Sequence, residues 1–354
     1  MRIPRLLTCI VAVVAFGAVS PVAMAGEQNV RANTERLSGN QQRDVDALIR
    51  LVDAVSSDEA APTDVTVAWE TNVFVKGGDG TTYVPFTVGI DRSKLGTEDA
   101  AIYVRVVAKG DLTPAEVEAR ARLAAVARRT SEKATYAWTD IHFVEVPDDG
   151  LVSRAMSLQP GEYDVFIAVK NQAPRRGDQP DAKLGVLHRD LTVPDYTAQE
   201  LLTSSIIVAN SIEILSSPLK DDDQQESPYT FGRYKVAPSV DRKLNKSVAG
   251  AQLEVLFWIY GMQHSDGMPD VSVDFSFHRK TPNGDKYFNK TPSVNLDAST
   301  LPEQFDVEAG HLLPGNLAVP LSIFPEGEYR LEIKVTDELS GKTLTQNAAF
   351  SVEA

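Results

Sequence analysis

A chain of 354 residues, 43% hydrophobic and 24% charged, is too long for one ordinary sandwich domain and suits about two folded units of roughly 100–200 residues, each able to bury a core. Its 22 glycines and 20 prolines are too few for a collagen-like, low-complexity or disordered chain. With 35 basic against 49 acidic residues the net charge is −14, which argues against nucleic acid or an anionic membrane as a partner.

The N-terminus reads as a secretory signal peptide over residues 1–25. Arg2 and Arg5 supply a positive start, Leu6 to Val19 an apolar run, and Ala23-Met24-Ala25 a small-residue cleavage site. The run is shorter than the ~20 residues a membrane helix needs, and Pro21 ends it. Cleavage would remove Arg2, Arg5 and Cys9, leaving 33 basic against 49 acidic residues, a net −16, and no cysteine at all. An exported chain of that kind has no disulfide and no thiolate, so its cores alone must hold it. The expected location is periplasmic or extracellular. No later stretch is long and apolar enough to span a bilayer, so no membrane span is expected once the signal is removed.

Residues 26–62 read as a polar tail followed by an amphipathic helix. Val45, Leu48, Ile49, Val52 and Val55 form one apolar stripe, while Arg43, Asp46, Arg50 and Asp53 face away. Pro62 lies beyond its end. From there the period changes to two. Asp64 to Lys76 and Thr81 to Ile90 flank Gly77-Gly78-Asp79-Gly80 and predict a hairpin, and Ala101 to Ala108 predicts a strand with Ile102, Val104 and Val106 on one face. Thr113-Pro114-Ala115-Glu116 then opens a short helical insertion, about residues 113–130, that carries Arg120, Arg122, Arg128 and Arg129. Strand pattern resumes from Tyr136 to Val146.

A repeat organises the rest. Leu158-Gln159-Pro160-Gly161-Glu162-Tyr163 opens a strand in which Tyr163, Val165, Ile167 and Val169 alternate with Asp164, Phe166, Ala168 and Lys170. Phe324-Pro325-Glu326-Gly327-Glu328-Tyr329 opens another, with Tyr329, Leu331, Ile333 and Val335 inward. Each leads to a closing strand, Leu187 to Val193 and Leu344 to Val352. A turn, then Gly-x-Tyr, then a period-two strand predicts a tyrosine corner, so Tyr163 and Tyr329 are assigned that structural role in two immunoglobulin-like sandwiches. The boundary falls at Pro194-Asp195-Tyr196-Thr197, giving sandwich 1 over 63–195 and sandwich 2 over 196–354. In the second, Asp221 to Glu226 reads as a solvated acidic loop. Leu253 to Tyr260, apolar on both faces, reads as a central strand with Trp258 as a core tryptophan.

Four runs carry a resemblance: Tyr83-Val84-Pro85-Phe86-Thr87-Val88, Pro160 to Val165, Pro228-Tyr229-Thr230-Phe231-Gly232, and Phe324 to Leu331. They resemble a family of exported acidobacterial proteins with immunoglobulin-like C-terminal modules, found beside or within the von Willebrand factor A-related and GWxTD groups. The resemblance covers most of residues 63–354 and implies the fold. It implies no activity for named residues, and the chain has neither a GWxTD string nor an Asp-x-Ser-x-Ser motif.

The search for chemistry finds no Gly-x-Ser-x-Gly, His-Glu-x-x-His or Ser-x-x-Lys with Lys-Thr-Gly. His142, His188, His264, His278 and His311 are scattered, although Asp140 and His142 share a strand face. No catalytic residue, metal ligand or cofactor is therefore assigned. The expected function is a non-catalytic binding or structural module of the cell envelope with a protein or glycan partner. The alternative is a carboxylate-based hydrolase of an extracellular polymer. The candidate binding residues are the insertion arginines with Arg175 and Arg176, which stand between Pro174 and Pro180 in a long link after Asn171. Basic charge against the overall sign would steer an acidic partner.

Overall fold

In the computed structural model, which describes residues 37–110, 136–172 and 181–354, helix α1 (Gly39–Ser56) opens on a capping box. The Ser38 hydroxyl accepts from the Gln41 amide and the Gln41 side chain accepts from the Ser38 amide, satisfying donors that a bare helix end would leave unpaired. Leu48 and Val52 are fully buried and pack on Ala101, Tyr103, Phe166 and Ala168, the apolar strip of a sheet face. Asp53, on the helix's polar side by its spacing, reaches Arg105 of the same sheet at 2.5 Å. Arg105 is only 2% exposed, bonds the Tyr103 hydroxyl at 3.1 Å and lies over the Tyr136 ring, so its charge is buried but compensated.

The chain divides into two compact units after Asp195. After α1 the first contains β1 (Val67–Asn72), β2 (Val75–Lys76), β3 (Thr82–Ile90), the short helix α2 (Arg92–Leu95), β4 (Asp99–Ala108), β5 (Trp138–Glu145), β6 (Leu151–Leu158), β7 (Gly161–Asn171) and β8 (Leu184–Val193). Strand β3 pairs antiparallel with β6 along its length and with β1 and β2 in succession. The turn after β2 closes where the Gly77 amide donates to the Thr81 carbonyl at 2.8 Å, and the strand before it is interrupted at Val73 and Phe74. The second sheet runs β5-β4-β7-β8, all antiparallel. Period-two alternation sends Val84, Phe86 and Val88 of one sheet against Ile102, Val104, Val165 and Ile167 of the other. The opposite face of β4 and β7 carries the strip that α1 covers.

The second unit, Tyr196–Ala354, is built from β9 (Leu202–Thr203), β10 (Ile207–Ile214), α3 (Asp221–Glu226), β11 (Thr230–Phe231), β12 (Tyr234–Pro238), β13 (Lys243–Asn245), β14 (Gln252–Tyr260), β15 (His264–Ser265), β16 (Met268–Pro269), β17 (Val271–Thr281), β18 (Gly284–Lys290), β19 (Val294–Leu296), β20 (Leu313–Pro320), β21 (Gly327–Asp337) and β22 (Thr343–Glu353). One sheet runs β11-β12-β10-β14-β20 and the other β13-β22-β21-β17-β18, with β13 parallel to β22. Phe257, Phe275, Phe277, Phe324, Tyr329 and Phe350 fill much of the core between them. In each unit one sheet places its strands in the A-B-E order and the other in the C′-C-F-G order of an immunoglobulin-like sandwich. The protein is all-β, immunoglobulin-like in both units, with few helices.

Two details of the second unit differ from what the sequence predicts. Asp221 to Glu226 is a helix, whose first turn is closed by the Gln224 amide on the Lys220 carbonyl at 3.0 Å. Trp258 is buried, but on the face of β14 away from the inter-sheet core, where it meets Phe231 at 4.9 Å. Leu253, Val255, Phe257 and Ile259 are the residues that point into the core. A strand apolar on both faces does not announce which face meets the other sheet.

The two F strands, β7 and β21, start alike. The Tyr163 hydroxyl donates to the Gln159 carbonyl at 2.8 Å and the Tyr329 hydroxyl to the Pro325 carbonyl at 2.6 Å, each four residues back. Two residues before each tyrosine stands a glycine with φ of 155° (Gly161) or 144° (Gly327), values that side chains resist. That backbone requirement, together with the hydroxyl bond, accounts for the repeated Gly-x-Tyr.

Candidate binding surface

The arginines singled out by charge, Arg120, Arg122, Arg128, Arg129, Arg175 and Arg176, lie outside the described residues, as does the helical insertion that carries the first four. The base of the link holding Arg175 and Arg176 is described. The side chain of Asn171, 2% exposed, donates to the Asp181 carbonyl at 3.1 Å and accepts from the Lys183 amide at 2.9 Å. Asp140 and His142 do meet on β5, with 3.2 Å between Oδ2 and Nε2.

The more developed polar surface is on the second unit. On β17 the core takes Val273, Phe275 and Phe277, so Ser276, His278 and Lys280 face outward. Register places Tyr287, His278, Arg330 and Ala349 in one row across β18, β17, β21 and β22. Arg330 gathers the row's neighbours. Its Nε donates to Asp285 at 2.7 Å, and Nη1 donates to Glu332 at 2.9 Å and to Asn347 at 2.6 Å. These carboxylates, Asp285 first, push the guanidinium further toward its charged form. Tyr287 is 61% exposed and its ring stands nearly perpendicular to His278, with centroids 6.1 Å apart. The Nε2 of His278 is buried without a hydrogen-bond partner among the described residues and lies 3.9 Å from Glu332.

Tyr287 and its row escape a search for motifs, because no catalytic spacing is involved. The available signal is the Pro282-Asn283 turn, which folds β18 back on β17 so that Tyr287 falls opposite His278.

The first unit holds a smaller polar grouping on the sheet face that carries α1. Asp164 of β7 is directly opposite Asp190 of β8, and Phe166 is opposite His188. The His188 Nε2 is 2.8 Å from Asp164 Oδ1, and its ring stacks on Phe166 with centroids 4.4 Å apart and 5° between planes. Lys109, just past β4, contacts Asp190 at 2.5 Å and Asp164 at 3.5 Å. The bond to Asp190 raises the lysine pKa, and the same bond lowers that of Asp190.

No helix among the described residues is long and apolar enough to cross a membrane. No family model matches the chain, and no curated protein matches it. Trypsin-activated α2-macroglobulin from Escherichia coli aligns at a TM-score of 0.22 and 11% identity, over 84% of this chain and 17% of that one. Salmonella α2-macroglobulin reacted with methylamine aligns at 0.22 and 11%, over 83% and 17%. An immunoglobulin-like protein from Pseudomonas aeruginosa aligns at 0.20 and 15%, over 42% of this chain and 97% of its own. The chain thus spans about a sixth of the α2-macroglobulins it matches. At these scores the likenesses carry no argument; the immunoglobulin-like assignment rests on strand order and the tyrosine corners.

Proposed function

We propose that the chain is a non-catalytic binding module, exported by its N-terminal segment, that engages a glycan of the cell envelope on the outer face of the second sandwich. The observation that carries this reading is the exposed ring of Tyr287 beside the Arg330 network. An aromatic face stacks on the C–H face of a sugar, and fixed planar polar groups such as Arg330 and Asn347 bond its hydroxyls in pairs. The side chains of that network already hold one another, so little ordering entropy is lost on binding. Arg330 neutralises one of its two carboxylates, and the single negative charge left over suits a hydroxyl-rich partner better than an acidic one. A hydrolase fits this face poorly. Its two nearest carboxylates, Asp285 and Glu332, are both bonded to one guanidinium, so neither stands free to work as half of a catalytic carboxylate pair.

The test is titration of the purified chain with envelope polysaccharides. Tyr287→Ala should weaken binding by about 1–2 kcal/mol, roughly 5–30-fold, without moving the melting temperature. Binding that survives the substitution, or release of reducing ends from the polymer, would overturn the reading. Capture of a protein through the same face instead would keep the module and change its partner.

A further inference from the structure

The geometry points to a divalent transition-metal site on the first unit, formed by Asp164, His188 and Asp190, in which the metal takes the seat now filled by the Lys109 ammonium. The site is independent of the glycan-binding reading and stands on a different unit.

Three observations carry it. The first is the donor set. One carboxylate oxygen from each aspartate and one imidazole nitrogen lie within 4.8 Å of one another. Zinc bonds such donors at roughly 2.0–2.2 Å, so two ligands of one ion stand up to ~4 Å apart, and Asp190 must close the difference. Its side chain is 77% exposed and has the room to do so. A mixed imidazole and carboxylate set selects zinc, copper, nickel or iron over calcium or magnesium, which take oxygen donors.

The second observation is preorganisation. Asp164 and Asp190 are cross-strand partners held by the β7–β8 ladder, and His188 is fixed by its stack on the buried Phe166. A metal would find two ligands with little rotamer freedom left to lose. Among the described residues this is the one grouping of three such donors.

The third is that the seat already holds a cation. Lys109 bridges both carboxylates, and its pairing with them is an exposed one. Exposed pairs of this kind contribute at most about 1 kcal/mol, and the lysine stem is flexible. A doubly charged ion bonding three ligands at once replaces these two contacts and the bond between His188 and Asp164; the displaced ammonium leaves for solvent still protonated, and the imidazole proton that faces Asp164 passes to solvent or to Nδ1. The net negative charge of the chain, −14, favours the exchange.

The role of Lys109 gives the test its sign. The untagged chain is titrated with zinc by calorimetry, beside His188→Gln, Asp190→Asn and Lys109→Met. One zinc per chain is expected. Each ligand substitution should cost at least the roughly 10–100-fold that losing a ligand's outer hydrogen-bond partner costs, and Lys109→Met should tighten binding by removing the competitor. Should His188→Gln fail to fold, proton and nitrogen NMR of the wild-type imidazoles decides, since zinc must perturb His188 before the other four histidines. No saturable binding, an affinity unchanged in Asp190→Asn, or a Lys109→Met variant that binds no tighter would each overturn the proposal.

Discussion

Two hydroxyl groups tie the turns that precede the F strands. Tyr163 and Tyr329 are almost wholly buried, each bonded to a carbonyl four residues upstream, and each preceded by a glycine whose φ lies in the region other residues avoid. Tyr→Phe removes one neutral hydrogen bond, leaves the ring packed, and should cost about 0.5–1.5 kcal/mol at each position by chemical denaturation. A loss near zero at both sites would mean that the ring alone locates the corner. Asn171 and Arg105 are also buried polar groups that find hydrogen-bond partners, yet neither stands out in the sequence. Apart from Tyr103 beside Arg105, the partners come from residues ten or more positions away, such as Asp181 and Asp53, and nothing local marks those pairings.

At the scale of elements, α1 shows what periodicity can establish. Leu48 and Val52 occupy the stripe that the sequence predicts, and the strip that receives them, Ala101, Tyr103, Phe166 and Ala168, is the other half of two period-two strands. Leu48→Ala leaves a hole between helix and sheet and should cost about 2–5 kcal/mol, read as a shifted urea midpoint at constant slope. A loss below about 1 kcal/mol would mean that the helix rides on the sheet without closing its core. The hairpin around Gly77, the two F strands and their closing strands were legible for the same reason, because alternation and turn residues are local signals. What alternation leaves open is the face. Trp258 is buried on the side of β14 opposite to the core, and only the packing of the facing sheet, whose Phe275 meets Phe257, settles which side that is. The candidate surface was illegible for a related reason, since Tyr287, Arg330 and Asn347 come from three strands. Local charge drew attention to the arginines instead.

For the whole molecule, the two sandwiches carry separate cores, so Tyr163→Phe and Tyr329→Phe should add within about 0.5 kcal/mol in the double variant. Titration of the second unit adds a pH signature with two opposite contributions. Asp337 is 1% exposed at the end of β21; burial by itself would raise its pKa, but bonds from the amides of Gln263, Leu339 and Ser340 and from the Ser340 hydroxyl bring it below the ordinary 3.8. A lowered folded-state pKa means that the unfolded chain takes up the proton first as pH falls. The stability it contributes is present above pH 3.8 and is lost below it. Glu254 on β14 is the reverse case. Burial raises its pKa above 4.5 against a bond from the Ile212 amide, and its Oε2 has no hydrogen-bond partner among the described residues. The folded state then holds the proton more tightly, so Glu254 is least costly below pH 4.5 and destabilises as pH rises through its folded value. Glu254→Gln should therefore raise the melting temperature at pH 7, with the gain shrinking toward pH 4. Asp337→Asn should lower it at pH 7, with the loss shrinking toward pH 3. Melting curves across that range check both, and a Glu254→Gln variant that is less stable than the wild type at pH 7 would show that the bond from the Ile212 amide is worth more than the carboxylate's burial costs.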